Sequence, residues 1–238
     1  NFYNGEHIFS KNIPWHYEIV WISITSPITI VSLFLIGFFY KIFFLSKNLL
    51  EVENKQHKFW YNKKQFISYY LFSAFVLTFL VKLKFGVMYG GWRQIYYLYP
   101  LIIFFGLIGL KYLTDIIGNK IVIKFVYSII IVELVFLALW NYKNHPFQFV
   151  YFNPILKSQT KNKFDLDYWG ISNKFILQKI LEMNKNQPFK VTTISYTNLN
   201  DSLRVLPLEQ KEKISIVYSV DQADYVIDNY MKKWSSTD

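Results

Sequence analysis

Four long apolar runs, at residues 19–44, 66–81, 95–110 and 121–140, alternate with short polar connections through the first 140 residues. Each is about the length that crosses a hydrocarbon core of ~30 Å as a helix, the second and third at the short end. Pro27 falls inside the first run and predicts a kink or a break near its outer end. Trp15, Trp21, Trp92 and Trp140 stand near the ends of runs, where an interfacial aromatic belt places them. Beyond Trp140 the pattern changes. Residues 173–183 fit an amphipathic helix with Phe175, Ile176, Ile180 and Leu181 on one side, and Pro188 punctuates its end. Residues 191–196, 214–218 and 225–228 read as short strands, and 198–205 as a further short helix. The pattern predicts an α-helical polytopic membrane protein of about four transmembrane helices with a small C-terminal α/β domain. Its expected parts are an outer segment over 1–18, a membrane region over 19–140 and an outer domain over 141–238.

Charge sets the expected orientation. The connection between the first two runs carries Lys41, Lys47, Lys55, Lys58, Lys63 and Lys64, and the one between the third and fourth carries Lys111 and Lys120, with Lys124 just inside. The opposite side has Lys11, Lys82, Lys84 and Arg93. The positive-inside rule puts the lysine-rich loops in the cytoplasm and both chain ends outside, together with the loop from Tyr89 to Gln94. The net charge of +10 in 238 residues then finds its counterpart in topology and anionic lipid headgroups, and no nucleic-acid module accompanies it. The absence of cysteine removes disulfides, thiolate metal sites and cysteine nucleophiles. His7, His16, His57 and His145 are scattered without metal-ligand spacing, so no metal or other cofactor is indicated, though a divalent ion is not excluded.

Four sets of residues carry candidate chemistry. Arg93 lies at the mouth of the third run, beside Tyr89, Gly90, Gly91 and Trp92. A guanidinium there offers forked donors to a phosphate at headgroup level, and the paired glycines permit close approach of a ligand. The plainer alternative is a snorkelling flank residue. Asp165, Asp167, Tyr168 and Trp169 combine carboxylates with aromatic faces and suit a sugar; equally they form a turn into the following helix, with Ser172 as its cap. His16, within Pro14-Trp15-His16-Tyr17, offers proton transfer or simple interfacial packing. Glu133 sits inside the fourth run, where a carboxylate is a functional-site hypothesis by default, or else pairs with a neighbouring helix.

These motifs, in this order, resemble the C-terminal half of a bacterial membrane glycosyltransferase of the GT-C type, related to protein O-mannosyltransferases and to lipid A aminoarabinose and sugar transferases. The matching pieces are Ile13-Pro14-Trp15-His16-Tyr17 with Ile24-Thr25-Ser26-Pro27, then Tyr89-Gly90-Gly91-Trp92-Arg93 running into Tyr99-Pro100. They continue with His145-Pro146-Phe147-Gln148, Tyr151-Phe152-Asn153, the stretch from Phe164 to Gly170, Ala223-Asp224-Tyr225 and Asn229-Tyr230. The family pattern has an aspartate at the position of Gly90 and a histidine at that of Gln94, so this loop does not supply a carboxylate. The resemblance implies a hexosyltransferase-like enzyme, multi-pass in the bacterial inner (cytoplasmic) membrane. It would move a sugar from a polyprenyl-phosphate donor to an extracytoplasmic glycan, lipid or protein acceptor. Arg93, Gly90, Gly91 and Trp92 would then face the donor phosphate, and Tyr89, Asp167, Tyr168 and Trp169 the acceptor or sugar. The family's acceptor-activating acid belongs to a first outer loop that is not found here. With Asn1 first in the sequence, the chain reads as the later part of a longer protein and is expected to be inactive by itself. The rivals are a non-catalytic membrane-anchored binding module and a transporter component using Glu133.

Overall fold

The computed structural model describes residues 1–50, 63–87, 89–154, 163–229 and 231, with the backbone alone at 48–50. Lys55, Lys58 and Tyr230 lie outside the described residues. The chain divides into two compact units, one formed by residues 14–143 and the other by residues 1–13 with 144–238.

The first unit is helical throughout. Its first helix, α1 (Tyr17–Thr25), ends at Ser26, whose φ of −103° and ψ of 153° are extended, as a residue preceding proline must be. The next helix, α2 (Ile28–Leu50), begins after Pro27. The apolar run expected as one span is thus two helices, because Pro27 has no N–H to continue the ladder and pushes its predecessor out of the helical region. Then follow α3 (Lys63–Phe85), a 3-10 turn (Arg93–Leu98), α4 (Tyr99–Ile117) with Pro100 in its first turn, and α5 (Lys120–Lys143). Four stretches, Ile28–Lys47, Lys63–Phe85, Arg93–Ile117 and Lys120–Lys143, are long and apolar enough to cross a membrane.

Two devices hold the helices. Where α2 crosses α4 the backbones touch: a Cβ added at Gly109 would sit 2.7 Å from the Gly37 nitrogen, and one at Gly37 would sit 2.7 Å from the Gly109 nitrogen. Small residues allow this approach, which gives packing without needing water-driven burial. Beside the crossing, Phe34 and Phe38 of α2, Phe72 and Phe75 of α3, and Phe105 of α4 interlock, with ring centroids 5.3 Å apart for Phe38–Phe72 and 6.0 Å for Phe75–Phe105. Phe105 is fully buried at the centre. By contrast α5 has no buried residue and shows Ile121, Phe125, Ile131 and Val132 outward, an apolar surface of the kind that marks a lipid or protein contact.

The second unit carries the α/β region. Helix α6 (Ile171–Met183) precedes a three-stranded parallel sheet of β3 (Phe189–Thr193), β4 (Ile214–Ile216) and β5 (Tyr225–Ile227), in the order β4-β3-β5. The short helices α7 (Leu199–Arg204) and α8 (Leu208–Lys211) connect β3 to β4. The core gathers Leu177, Ile180 and Leu181 from α6 against Val191, Leu199, Ile214 and Ile227. The buried face of α6 therefore runs through 173, 177, 180 and 181 at helical spacing, not through Phe175. Phe175 is turned outward at 40% exposure, edge-on to Phe147 at 5.2 Å.

The first residues belong to this unit as well. Strands β1 (Phe2–Tyr3) and β2 (Glu6–His7) pair antiparallel around Asn4-Gly5, both with positive φ, the conformation a two-residue hairpin turn needs. The hairpin is tied to distant sequence. The Phe2 N–H donates to Asp165 Oδ2 at 2.8 Å, the Gly5 N–H donates to the Lys163 carbonyl at 3.1 Å, and Tyr3 meets Phe164 edge-to-face.

Candidate functional site

Two of the sequence motifs converge in the helical unit. Tyr17, Trp21 and Thr25 recur every fourth residue on α1 and so share one face. The glycine-tryptophan loop lies on that face. The Gly91 N–H donates to Tyr17 Oη at 3.2 Å, and Trp92 Nε1 donates to Thr25 Oγ1 at 2.8 Å. A Cβ at Gly91, where φ is +71°, would stand 3.5 Å from the Trp21 ring in a backbone conformation L side chains rarely adopt. Gly91 is therefore favoured by its backbone angle, while the Trp21 ring lies at ordinary van der Waals distance. Trp92 is buried, with its ring 4.8 Å from Tyr96 and 5.6 Å from Tyr99.

These contacts show how the loop of the expected phosphate site is held. The Gly91 N–H and the Trp92 indole N–H are directed at Tyr17 and Thr25, so both residues fix the loop against α1. Gly90, with φ of +66°, shapes the turn. Arg93 is half-buried and its guanidinium lies over the Tyr89 ring, 4.7 Å from the centroid. Tyr89 thus orients the cation. Next to it, Lys82 Nζ donates to Gln94 Oε1 at 3.4 Å.

Glu18 is the residue that sequence reasoning passed over. It is 1% exposed, and neither carboxylate oxygen has a hydrogen-bond partner among the described residues. Burial pushes its pKa up from 4.5 to about 7, partly offset by the positive charge of Lys82. Its signal was present: Glu18 is the one acid in the largely apolar and aromatic sequence of α1. His16, in contrast, stands just before α1 with its ring edge-on to Trp15 at 5.5 Å and makes no side-chain cap.

The other two candidates are explained by helix ends. Glu133 reaches from α5 to the start of α2, where Oε1 accepts from the Ile28 N–H at 2.9 Å and Oε2 from the Thr29 N–H at 3.1 Å and from the Thr29 hydroxyl. It caps another helix's open N–H groups, which must be satisfied where water is absent. In the α/β unit, Asp167 is buried and accepts from the Ile171 N–H at 3.0 Å and the Ser172 N–H at 2.8 Å, as well as from Ser172 Oγ. Gly170 is the N-cap residue of α6, and Asp167, three positions earlier, supplies the side-chain acceptors for its first N–H groups, the role expected of Ser172. Tyr168 and Trp169 follow it in the turn, their rings edge-to-face at 5.2 Å, and Trp169 is 65% exposed. No group of three or more His, Asp or Glu that could hold a metal occurs among the described residues.

The sequence matches no protein-family model, and neither the curated proteins nor the solved structures gave a similar protein.

Proposed function

We propose that this chain is part of a membrane glycosyltransferase that moves a sugar from a polyprenyl-phosphate donor to an extracytoplasmic acceptor, with Arg93 holding the donor phosphate. The supporting observation is how Arg93 is mounted. It opens a membrane-length helical stretch, Arg93–Ile117, immediately after a loop pinned to α1 through Gly91 and Trp92. A lipid-linked phosphate keeps its charge at headgroup level while its tail lies among apolar helices, and a fixed, half-buried guanidinium at a helix mouth meets both demands. Tyr96 and Tyr97, 58% and 63% exposed on the same 3-10 turn, offer amphipathic rings for the region where headgroup meets tail. The pinned loop supplies preorganisation, which lowers the entropy lost on binding. Arg93 is a binding residue in this proposal, and no acceptor-activating acid is assigned. Glu133, on which the transporter alternative relies, accepts from the Ile28 and Thr29 N–H groups at the start of α2.

The test is turnover of a radiolabelled polyprenyl-phosphate sugar by the intact protein in its membrane. Arg93→Ala is expected to abolish transfer at unchanged expression. Arg93→Lys is expected to restore only a small part, because an ammonium lacks the forked donor geometry. Near-normal turnover by Arg93→Ala would sink the phosphate role.

A further inference from the structure

The α/β unit holds a cleft of about 660 Å³ between the turn at Tyr168–Gly170, the first turns of α6 and the segment from Tyr196 to Val205. That volume lies within the range of small-molecule sites. Two large rings stand on its walls with most of their surface uncovered, Trp169 at 65% and Tyr196 at 70% exposure. Neither is needed for the core, which is built from Leu177, Val191, Leu199 and their neighbours. The backbone beneath both rings is nonetheless firmly held. Asp167 caps the turn that carries Trp169, and Gly170 follows with φ of +64°, where a Cβ would lie 3.0 Å from Thr197 Cβ. On the other side, Thr197 Oγ1 accepts from Asn173 Nδ2 at 3.0 Å and from Asn229 Nδ2 at 2.7 Å, and Asn198 caps α7 through the Asn200 N–H at 2.9 Å. Tyr168 sets Trp169 edge-on with an interplanar angle of 84°. Exposed aromatics on a rigid base present a face to something other than the protein itself.

The polar groups around these rings narrow the ligand. The cleft is lined by one cation, Lys174, and one acid, Asp201, the latter within 3.5 Å of Arg204 at the surface, with the hydroxyls of Thr197 and Ser202 nearby. Aromatic faces with a few donors and acceptors of balanced charge suit a ligand that has a flat apolar face and a rim of hydroxyls. A pyranose has that form. A polyanion would want a cationic excess that the cleft does not offer. We infer that the cleft is a binding site for an uncharged saccharide, with Trp169 and Tyr196 as its stacking platforms. This does not rest on Arg93 or on the transferase proposal, although an acceptor glycan would be one natural occupant.

The test uses the full chain in lipid nanodiscs on a printed glycan array covering hexoses, N-acetylhexosamines and uronic acids, followed by calorimetric titration with the best-retained disaccharide. Neutral saccharides are expected to be retained, and Trp169→Ala and Tyr196→Ala are each expected to weaken binding by about tenfold or more. Both side chains are at the surface, so both variants should keep the wild-type melting temperature. Arg93→Ala is expected to bind the saccharide normally, which separates this site from donor binding. Retention of no neutral saccharide, retention of uronic acids alone, or unchanged affinity in Trp169→Ala overturns the inference.

Discussion

Replacing Glu18 by glutamine tests the buried acid of α1 most directly. The wild-type carboxyl is buried without a hydrogen-bond partner among the described residues, and its pKa is raised from 4.5 to about 7. Between those two values the folded protein holds a proton that the unfolded chain releases. Stability is therefore fully present below about pH 4.5, falls as the pH rises, and levels off above about pH 7. A displacement of this size corresponds to about 3 kcal/mol. Glutamine has nearly the same shape and cannot ionise, so Glu18→Gln loses this pH dependence. Its advantage over wild type should grow by about 3 kcal/mol between pH 4.5 and pH 8, which for a chain of this length is a relative shift of about 6–12 °C in melting temperature. Thermal unfolding of nanodisc-embedded protein, followed by intrinsic fluorescence across that pH range, reads the difference. Lys82→Met adds a directional check, because the Lys82 charge lowers the Glu18 pKa. Removing it should move the fall in stability to higher pH. Parallel pH profiles for wild type and Glu18→Gln would refute the account of Glu18 as a desolvated, titrating acid.

Two further substitutions probe the helical unit. Gly109→Ala should destabilise it by about 3 kcal/mol, since the added Cβ meets the α2 backbone, whereas Gly106→Ala, whose Cβ would find its nearest neighbour at 3.8 Å, should be nearly neutral; unfolding of both in the same detergent gives the comparison. Glu133→Ala strips two backbone N–H groups at the start of α2 of their acceptors and should cost about 1–3 kcal/mol in the same assay without introducing any ion dependence in transport measurements.

The elements were legible where a local period or a local chemical rule determines them. The four long apolar helices follow from run length, and the break at Ser26-Pro27 follows from the missing N–H of proline. The parallel strands follow from short β-branched runs, each found within a few residues of its expected place. The site was less legible because its decisive bonds join distant sequence. Nothing local to Gly91 announces that its N–H donates to Tyr17, 74 residues earlier. Nothing local to Phe2 announces Asp165. The hairpin at Asn4-Gly5 was not read from the sequence, because two-residue strands are too short to show alternation. The assignment of Phe175 to the buried side of α6 rested on apolar character alone, and the helical phase of Leu177, Ile180 and Leu181 turns it outward.

Three acids show why residue type alone could not identify the site. Asp167 and Glu133 are each placed at the start of a helix, where open N–H groups point at them, and their oxygens are consumed by those donors. Each is a structural cap, although in sequence one sits beside exposed aromatics and the other inside an apolar run, the two settings that most suggest chemistry. Glu18 lies within the first turn of its own helix, yet its side chain is buried and no such donors meet it among the described residues. Its neighbours supply only the distant field of Lys82, too weak to offset its desolvation. A carboxyl left in that state gains or loses its proton near neutral pH.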